Sequence, residues 1–387
     1  ATAAPAGGLP EPTADDLYIL YTGGTTGMPK GVLWRQHDIF VGAMGGREFG
    51  TGDVPTGLEQ IADRARAAMP AGSMTVAPLM HGAAQWAAFI TLLGGRPFVM
   101  SATTDRFDPV ETWALAAKER VVSLSIVGDA FARPLADALA AGGPTLTDDL
   151  SGLLVLASGG AAFTAPVKQR IVDLLPQLSI LDAGGSSETG AQMGQTTSRA
   201  QASTGRFAPN PGAVVVSEDM SRILAPGDDE IGWLAQQEYV PLGYLGDPEK
   251  SARTFPVIEG IRHSVPGDRA RWDADGDIEL LGRDSVTINS GGEKIFAEEV
   301  EAAIAQHPGV YDVVVVGRPS QRWGNEVVAV VQLAQGAAAA AADLVATAAS
   351  HIARYKLPKD VVFCAQVQRS PSGKADYRWA KEQALQD

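Results

Sequence analysis

Cysteine is almost absent from this 387-residue sequence, and its single occurrence, Cys364, excludes any disulfide within the chain. The five histidines are scattered, and no Cys/His cluster has the spacing of a zinc site. Long apolar runs are missing too, because none reaches the roughly 18 residues that a membrane-spanning helix needs. These absences argue against a disulfide-rich secreted domain, and they predict a soluble protein of a reducing cytoplasm.

Positive charge is also in short supply. The chain has 31 Lys and Arg residues against 45 Asp and Glu residues, which gives a formal net charge of −14 at pH 7. No block of Lys and Arg stands out, so most of the surface would repel a nucleic-acid duplex or an anionic membrane. Neither is expected as a partner. The length and the 45% hydrophobic content do allow more than one packed domain.

The pattern of apolar runs changes twice along the chain. Strand-like runs such as "VVSLSIVG" and "GLLVLASGG" first alternate with helical stretches such as "PVKQRIVDLL", which favours a parallel sheet flanked by helices. From about Gly205, short β segments with Pro/Gly turns predict an antiparallel barrel or sandwich. After "LLGRDSVTINSGGEKI" the pattern is typical of a compact α+β unit. The expected fold is α/β: a large domain with a mostly parallel sheet and a small β-barrel-like subdomain, then a small α+β C-terminal domain.

A glycine-rich stretch, "YTGGTTGMPKG" (21–31), follows the first strand-like run. Glycines let backbone N–H groups approach anionic oxygens, threonine hydroxyls add donors, and Lys30 adds positive charge, so the stretch predicts a phosphate clamp. A flexible glycine turn is the alternative. A Walker-type P-loop is excluded, because Pro29 precedes the lysine and no G-K-[ST] follows. The phosphate-binding candidates are Thr22, Gly23, Gly24, Thr25, Thr26 and Lys30.

Seven further stretches follow this one in a fixed order. The whole set is similar to the motifs of the adenylate-forming (AMP-binding) superfamily of acyl-CoA synthetases, adenylation domains and luciferases. Phrases such as "LYTGGTTGMPKGVLWRQ" and "SGKADYRWAKE" resemble the actinobacterial fatty-acyl and sterol side-chain CoA ligases. The seven stretches are "PLMHGAAQW" (78–86), "SGGAAF" (158–163), "DAGGSSETG" (182–190), "GYLGDPEKSARTF" (243–255), "GDRARWDADGDIELLGR" (267–283), "NSGGEKIFAEEVE" (289–301) and "RSPSGKADYRWAKE" (369–382).

The resemblance implies a two-step reaction. A carboxylate attacks the α-phosphate of ATP to give an acyl-adenylate and pyrophosphate, and the thiol of coenzyme A then displaces AMP. It implies a truncated AMP-binding N-terminal domain over residues 1–284, since the family has a large portion before the first motif, and a mobile C-terminal lid domain over 285–387. Expected partners are a hydrophobic acid, ATP with Mg²⁺, and coenzyme A, with a homodimer left open.

The stretch "DAGGSSETG" carries the implied metal and phosphate contacts. In the family its glutamate, here Glu188, holds Mg²⁺ and the preceding hydroxyl, Ser187, contacts phosphate. A helix-capping glutamate is the alternative. The family often has an aromatic residue stacking on adenine where this chain has Gly184, so stacking is lost there or supplied elsewhere.

Three charged residues complete the implied nucleotide site. Asp268 would accept hydrogen bonds from the ribose hydroxyls, because a carboxylate is an acceptor with room for two donors, and Arg283 would reach the same region. A turn aspartate and a surface arginine are the alternatives. By resemblance Lys374 enters between the substrate carboxylate and the α-phosphate. A lone loop lysine is otherwise usually solvated.

Small residues are expected around the reacting groups. Gly291 and Gly292 would leave room for the pantetheine arm after the lid pivots near Ser285, or they form a turn before a helix. His81 would stand at the acyl-pocket entrance with Gly82 and Gln85 on the wall, or it is a buried structural histidine. The pocket floor is expected from Gly128, Asp129, Gly159, Gly160 and Ala161.

Two other functions remain as alternatives to the acyl-CoA ligase hypothesis. One is an acyl-adenylate former that delivers its product to a carrier protein. The other is an inactive nucleotide- or acyl-binding remnant, suggested by the missing first portion and by Gly184.

Overall fold

The computed structural model describes residues 11–22, 29–48, 52–103, 106–142, 149–198 and 202–386. None of the helices in these ranges is long and apolar enough to cross a membrane. The strands are β1 (Leu17–Thr22), β2 (Lys30–Arg35), β3 (Ser73–Thr75), β4 (Phe98–Val99), β5 (Ser123–Ile126), β6 (Val155–Gly159), β7 (Ser179–Ser186), β8 (Gly190–Thr197), β9 (Arg206–Pro209), β10 (Ala213–Val216), β11 (Gly232–Gln237), β12 (Gly243–Tyr244), β13 (Val257–Ile258), β14 (Ile261–Ser264), β15 (Asp268–Trp272), β16 (Ile278–Arg283), β17 (Ile288–Ser290), β18 (Glu293–Ile295), β19 (Val310–Ser320), β20 (Gly324–Leu333) and β21 (Asp360–Cys364). The helices are α1 (Gln36–Ala43), α2 (Leu58–Ala67), α3 (Gly82–Leu93), α4 (Pro109–Lys118), α5 (Gly128–Ala140), α6 (Ala165–Leu174), α7 (Pro248–Thr254), α8 (Ala297–Ile304), α9 (Ala341–Ala349) and α10 (Tyr377–Ala384).

A parallel sheet forms the centre of the large part of the molecule. Its strands run in the order β4-β3-β5-β6-β7, and each neighbouring pair is parallel. Helices α4, α5 and α6 cover it through a core that includes Trp113, Leu135, Leu156 and Ile171. Helix α4 begins where the Asp108 carboxylate accepts hydrogen bonds from the first-turn amides. The alternation of strands and helices read from the sequence is confirmed here.

The same sheet continues as antiparallel strands. Strand β8 pairs antiparallel with β7, and the path continues through β9, β16, β15, β11, β14 and β13, with β10 attached to β11. The short β segments expected after Gly205 are therefore present. Within the described ranges they extend the sheet along an open path and form no closed barrel.

A small three-stranded sheet, β1-β2-β12, lies beside the large one. Its register places Tyr244 of β12 opposite Val32 of β2, two residues beyond Lys30. Val32, Trp34 and Tyr244 are buried together with Phe255. This pairing brings the end of the glycine-rich stretch next to a segment more than two hundred residues further along the chain.

The last hundred residues have hydrophobic clusters of their own. Strands β19 and β20 are antiparallel, and β20 and β21 are parallel. Helices α8 and α9 share one cluster with these strands, and α10 packs in a second. A single 3-10 turn, Asp284–Val286, connects this part to β16. The α+β character is as expected, whereas the domain boundary after Asp284 stays a prediction.

A buried ion pair fixes strand β7 to helix α6. The Lys168 ammonium lies 2.6 Å from the Asp182 carboxylate, and both residues are buried. Lys168 also donates to the Gln195 side chain at 2.7 Å and to the Ser203 carbonyl at 3.0 Å. Burial raises the pKa of Asp182, and the lysine opposes that shift. Since Asp182 begins "DAGGSSETG", this pair holds the base of the strand that carries that motif.

Replacing Lys168 by Met is predicted to lower the free energy of unfolding by about 3–5 kcal/mol, because it leaves a buried carboxylate unpaired. Without the lysine the pKa of Asp182 would rise further, so protonation would relieve the loss at low pH. The deficit relative to wild type should then be larger at about pH 8 than at about pH 5. Denaturant titration at both pH values measures this.

The control is Lys118→Met, which removes a lysine whose side chain is 77% exposed. It should change the unfolding free energy by less than about 0.5 kcal/mol. Equal stability of the two variants would contradict a structural role for the buried pair.

Candidate functional site

A cleft of about 1410 Å³ opens at the carboxyl ends of the parallel strands. The small β1-β2-β12 sheet, the β7–β8 turn and a loop near the C-terminus also border it. Open α/β sheets bind ligands at this end of their strands. Most of the described site candidates from the sequence line this one cleft: Thr22, Lys30, His81, Gly159, Gly160, Ser187, Glu188, Arg283 and Lys374.

Among the described candidates, Asp268, Gly291 and Gly292 are not part of this lining. Gly23, Gly24, Thr25 and Thr26 lie outside the described residues. Asp268 follows the lining residue Gly267, and its carboxylate accepts a hydrogen bond from Arg283 Nε at 3.1 Å.

Gly291 and Gly292 form a turn away from the cleft lining. Gly291 has a φ of +61°, and a Cβ there would come within 2.8 Å of the Trp323 ring. The backbone conformation and the Trp323 ring thus require glycine at position 291, independently of any role in binding the pantetheine arm.

Glu188 is held in the turn between β7 and β8. Its Oε1 accepts a hydrogen bond from the Tyr244 hydroxyl at 2.9 Å, and its carbonyl accepts one from Ser264 Oγ at 2.7 Å. The carbonyl of Ser187 accepts from Trp34 Nε1 at 2.9 Å. Because the turn joins two strands, the helix-capping alternative for Glu188 is wrong.

Tyr244 lines the cleft but was not among the candidates from the sequence, although it stands in the motif "GYLGDPEKSARTF". Burial, and then the charge of Glu188, raise its pKa well above the usual tyrosine value, so the hydroxyl stays protonated and donates. No local pattern indicates this contact, since it depends on the pairing of β12 with β2.

Two lysines stand beside Tyr244. Lys30 forms an ion pair with Asp247, the carboxylate that caps helix α7 by accepting from the Lys250 amide at 3.0 Å. The ammonium groups of Lys30 and Lys250 lie 5.9 and 4.5 Å from the centre of the Tyr244 ring. This edge of the cleft therefore carries two ammonium groups and one carboxylate, a net positive charge that suits an anionic ligand.

Lys374 enters the cleft from a tight turn. Arg369 and Ala375 bridge across its base, the Ser370 amide donates to the Lys374 carbonyl at 2.8 Å, and the Gly373 amide donates to the Ser370 carbonyl at 2.8 Å. Burial, followed by repulsion from Arg283, lowers the pKa of the Lys374 ammonium.

The carboxylates of Glu188 and Asp268 act in the opposite direction on Lys374. Burial, and then the charge of Lys374, lower the pKa of His81, so its ring is neutral at pH 7. Arg283 in turn has a raised pKa, chiefly because Asp268 faces it across the β15–β16 pair. These effects show that Lys374, Arg283 and Glu188 share one electrostatic environment.

Gly184 lines the cleft at the place where the family often has an aromatic residue. A Cβ there would come within 2.8 Å of Met193 Cγ and still closer to the end of the same side chain. Met193 of β8 fills that space and is itself buried. Replacing Gly184 by alanine or by an aromatic residue would therefore require the Met193 side chain to move.

Four expected pocket residues do not line the cleft: Gly128 and Ala161, and the polar residues Asp129, expected on the floor, and Gln85, expected on the wall. Asp129 is buried away from the cleft lining and is satisfied by Arg133 Nη2 at 2.6 Å and the Thr164 hydroxyl at 2.8 Å. Gln85 faces away from the cleft, where it accepts from Tyr18 and donates to the Leu79 carbonyl at 2.8 Å. Both are polar residues whose hydrogen bonds are made inside the protein.

Apolar side chains line the cleft beyond His81. Helix α3 supplies half of them, and the lining continues to small residues at the ends of β5 and β6. This part of the cleft can take an apolar group, although Met80 and Ile90 on its lining are exposed to solvent. The residues are Ala77, Met80, Ala83, Trp86, Ala87, Ile90, Val127 and Ala157.

Comparison with known proteins identifies the family. A model of the AMP-binding enzyme family matches residues 3–237, and one of the AMP-binding enzyme C-terminal domain matches residues 299–374. The chain belongs to the AMP-binding enzyme family. Its membership agrees with the order of motifs from residue 21 to residue 382.

Two AMP-binding relatives are similar over nearly the whole chain. The medium-chain acyl-CoA ligase Mig of Mycobacterium avium is 55% identical over 371 residues, which is 96% of this chain and 67% of that protein. The medium/long-chain-fatty-acid–CoA/3-oxocholest-4-en-26-oate–CoA ligase of Mycobacterium tuberculosis is 43% identical over 375 residues, with the same coverage. This chain spans about two thirds of their length.

The fold agrees with this assignment. ATP-bound MatB from Rhodopseudomonas palustris has a TM-score of 0.74 and 26% identity, covering 96% of this chain and 69% of that one. The arrangement of a large mixed sheet followed by a small α+β part is therefore similar to that of a solved ATP-bound protein.

Replacing Tyr244 by Phe is predicted to weaken binding of Mg·ATP about five- to tenfold, since a hydrogen bond that orients Glu188 is worth about 1 kcal/mol or more. Isothermal titration calorimetry measures this without turnover. Tyr355→Phe, at a tyrosine that is 48% exposed, is the matched control and should bind like wild type. Unchanged affinity in the Tyr244 variant would show that Glu188 does not depend on this contact.

Proposed function

We propose that this chain activates a hydrophobic carboxylic acid, a fatty or steroid side-chain acid, to an acyl-adenylate and then to its coenzyme A thioester. In the first step a carboxylate oxygen attacks the α-phosphorus of ATP, and the bond to the β-phosphate breaks to release pyrophosphate. In the second step the thiol sulfur attacks the acyl carbon and AMP leaves. The observation that carries the proposal is the convergence of Lys374, Glu188 and Lys30 on one cleft.

The charges in the cleft suit the first step. That step joins two anions, a carboxylate and a triphosphate, so it needs fixed positive charge where they meet. Lys374 and Arg283 supply it near Glu188, and Lys30 and Lys250 supply it beside Tyr244, the hydrogen-bond partner of Glu188. We assign Lys374 to the meeting point of carboxylate and α-phosphate, and the glycine-rich stretch with Lys30 to the outer phosphates.

The residues present fit Mg²⁺ carried in on ATP. Among the described residues no three carboxylate, histidine or cysteine side chains form a metal cage, and Glu188 is the acid that lines the cleft beside Ser187. Mg²⁺ is usually held by one or two carboxylates together with substrate phosphates. Bound there, the ion would neutralise phosphate charge. Glu188, oriented by Tyr244, is the residue that we expect to hold it.

The nucleoside end is assigned to the wall near Arg283. Asp268 has acceptor capacity left beyond its bond to Arg283, which suits two ribose hydroxyls. Gly184 and Gly185 line the same cleft and leave a flat surface for a base, with Met193 behind Gly184 in place of an aromatic ring.

The acid is assigned to the apolar part of the cleft along α3. His81, neutral at pH 7, stands between that part and Lys374, where it can donate a hydrogen bond to the carboxylate. Gly159 and Gly160 bound the same space. The two ligases similar to this chain are named for medium- and long-chain fatty acids and for a steroid acid, which supports acids of this class.

The second step needs a path for the thiol. We propose that the C-terminal part then pivots about the 3-10 turn that contains Ser285, which withdraws Lys374 and presents Gly291 and Gly292. In the present arrangement Lys374 is in the cleft and this glycine turn is not, which corresponds to the first step.

Location and assembly are part of the same proposal. Both ATP and coenzyme A are cytoplasmic solutes, so we expect the reaction in the cytoplasm. A homodimer stays a prediction. The rival carrier-protein acceptor differs only in the source of the thiol, and the inactive-remnant alternative predicts ATP binding without chemistry.

The function is tested by AMP release with dodecanoic acid, benzoic acid or a cholestenoic acid as the carboxylate. We expect AMP release to rise with free coenzyme A for the fatty and steroid acids, with the thioester found by mass. Pyrophosphate exchange without any response to coenzyme A would favour a carrier-protein acceptor. ATP binding without AMP or pyrophosphate release would contradict the enzymatic function.

Replacing Lys374 by Ala is predicted to slow acyl-adenylate formation by roughly a hundredfold or more, because one transition-state cation supplies about 3 kcal/mol. The rate of thioester formation from supplied acyl-adenylate and coenzyme A should stay unchanged, because in that step no carboxylate attacks a phosphate. Single-turnover assays of each half separate the two. Equal loss in both halves would count against the assigned role. Lys118→Ala is the control.

A further inference from the structure

Helix α5 of the large part contacts the C-terminal part. The hydroxyl of Tyr311, at the start of β19, donates a hydrogen bond of 2.9 Å to Asp137 Oδ2 on that helix. The guanidinium of Arg133, one turn earlier on α5, lies 5.7 Å from the centre of the Tyr311 ring. Burial and the Asp137 carboxylate raise the pKa of Tyr311, so it remains a donor at any ordinary pH.

The next residue after Tyr311 connects this contact to the turn that carries Lys374. The Asp312 carboxylate accepts two hydrogen bonds from Arg369, at 2.8 and 2.7 Å. Arg369 is the first residue of that turn and also donates to the Gly373 carbonyl at 3.2 Å. A bidentate pair of this kind fixes orientation as well as distance. The Asp312–Arg369 pair thus links strand β19, which contacts α5, to the turn that carries Lys374.

The turn itself rests on the same helix. Gly373 has a φ of +79°, and a Cβ there would lie 3.1 Å from Ala130 Cβ and 3.3 Å from Phe131 Cε2. The backbone before Lys374 therefore lies directly on the first turn of α5, while Tyr311 binds near the last. The C-terminal part thus makes two separate contacts with one helix.

We propose that the Tyr311–Asp137 hydrogen bond is a positioning contact that holds Lys374 in the cleft for the first half-reaction. It rests on the proposed function, and it adds residues outside every motif that the sequence offered. Tyr311 touches neither the cleft nor its ligands; it acts through Asp312, Arg369 and the turn.

The consequence is a loss confined to one half-reaction. A charge displaced by about 1 Å from a transition state can cost a large factor in rate. Formation of acyl-adenylate needs Lys374 in place, whereas attack by coenzyme A on a preformed acyl-adenylate does not. A contact that merely stabilised the fold would lower both rates together or neither.

The experiment compares wild type and Tyr311→Phe by single-turnover pyrophosphate release with Mg·ATP and dodecanoic acid, and by thioester formation from supplied dodecanoyl-adenylate. Tyr311→Phe keeps the ring beside Arg133 and removes only the hydroxyl. We expect the single-turnover rate of pyrophosphate release at saturating ATP to fall roughly tenfold, with the ATP concentration for half-maximal rate unchanged, and thioester formation to stay within about twofold.

The controls separate position from stability. Asp137 also accepts from Arg170 at 2.7 Å, so Arg170→Gln removes another partner of that carboxylate and should leave both half-reactions unchanged. Asp137→Ala should reproduce the selective loss seen in Tyr311→Phe. Thermal unfolding of each variant verifies the fold.

Equal pyrophosphate release by Tyr311→Phe and wild type, or equal losses in both half-reactions, would overturn this inference alone. Absence of pyrophosphate release from wild type with any acid would overturn the proposed function and, with it, this inference.

Discussion

A positively charged side chain that is partly removed from water needs anions nearby, and in this protein that requirement centres on Lys374. Burial and Arg283 disfavour its charge, whereas Glu188 and Asp268 favour it. These residues come from the C-terminal turn, the end of β16, the β7–β8 turn and β15. The cleft exists as a charged site only while these segments are held together.

The scaffold meets this requirement with contacts outside the reacting groups. A buried lysine fixes the base of β7, so that the β7–β8 turn presents Glu188 in one position. The pairing of β12 with β2 delivers the hydroxyl of Tyr244 to that carboxylate. On the other side, helix α5 receives both β19 and the Lys374 turn. Rigid elements on each side thus determine the distance between groups that lie far apart in the sequence.

The sequence was sufficient where information is local. Alternating apolar runs predicted the parallel sheet, and the ordered motifs predicted that Lys30, Glu188, Arg283 and Lys374 line one cleft. The predictions that failed concerned residues whose hydrogen-bond partners are set by the three-dimensional packing. Asp129 was placed on the pocket floor because it lies among small residues, and Gln85 was placed on the wall by resemblance to the family, yet the hydrogen-bonding groups of both are used inside the protein. Such contacts depend on three-dimensional packing, and a single sequence contains no signal for them.

The most direct test of the account is lysine acetylation footprinting by mass spectrometry, with and without Mg·ATP and with no acid present. The account predicts that Lys30 and Lys374 become protected together over the same range of ATP concentration, while exposed Lys118 reacts unchanged. Protection of Lys30 without any change at Lys374 would contradict the claim that both ends of the chain contact one bound nucleotide.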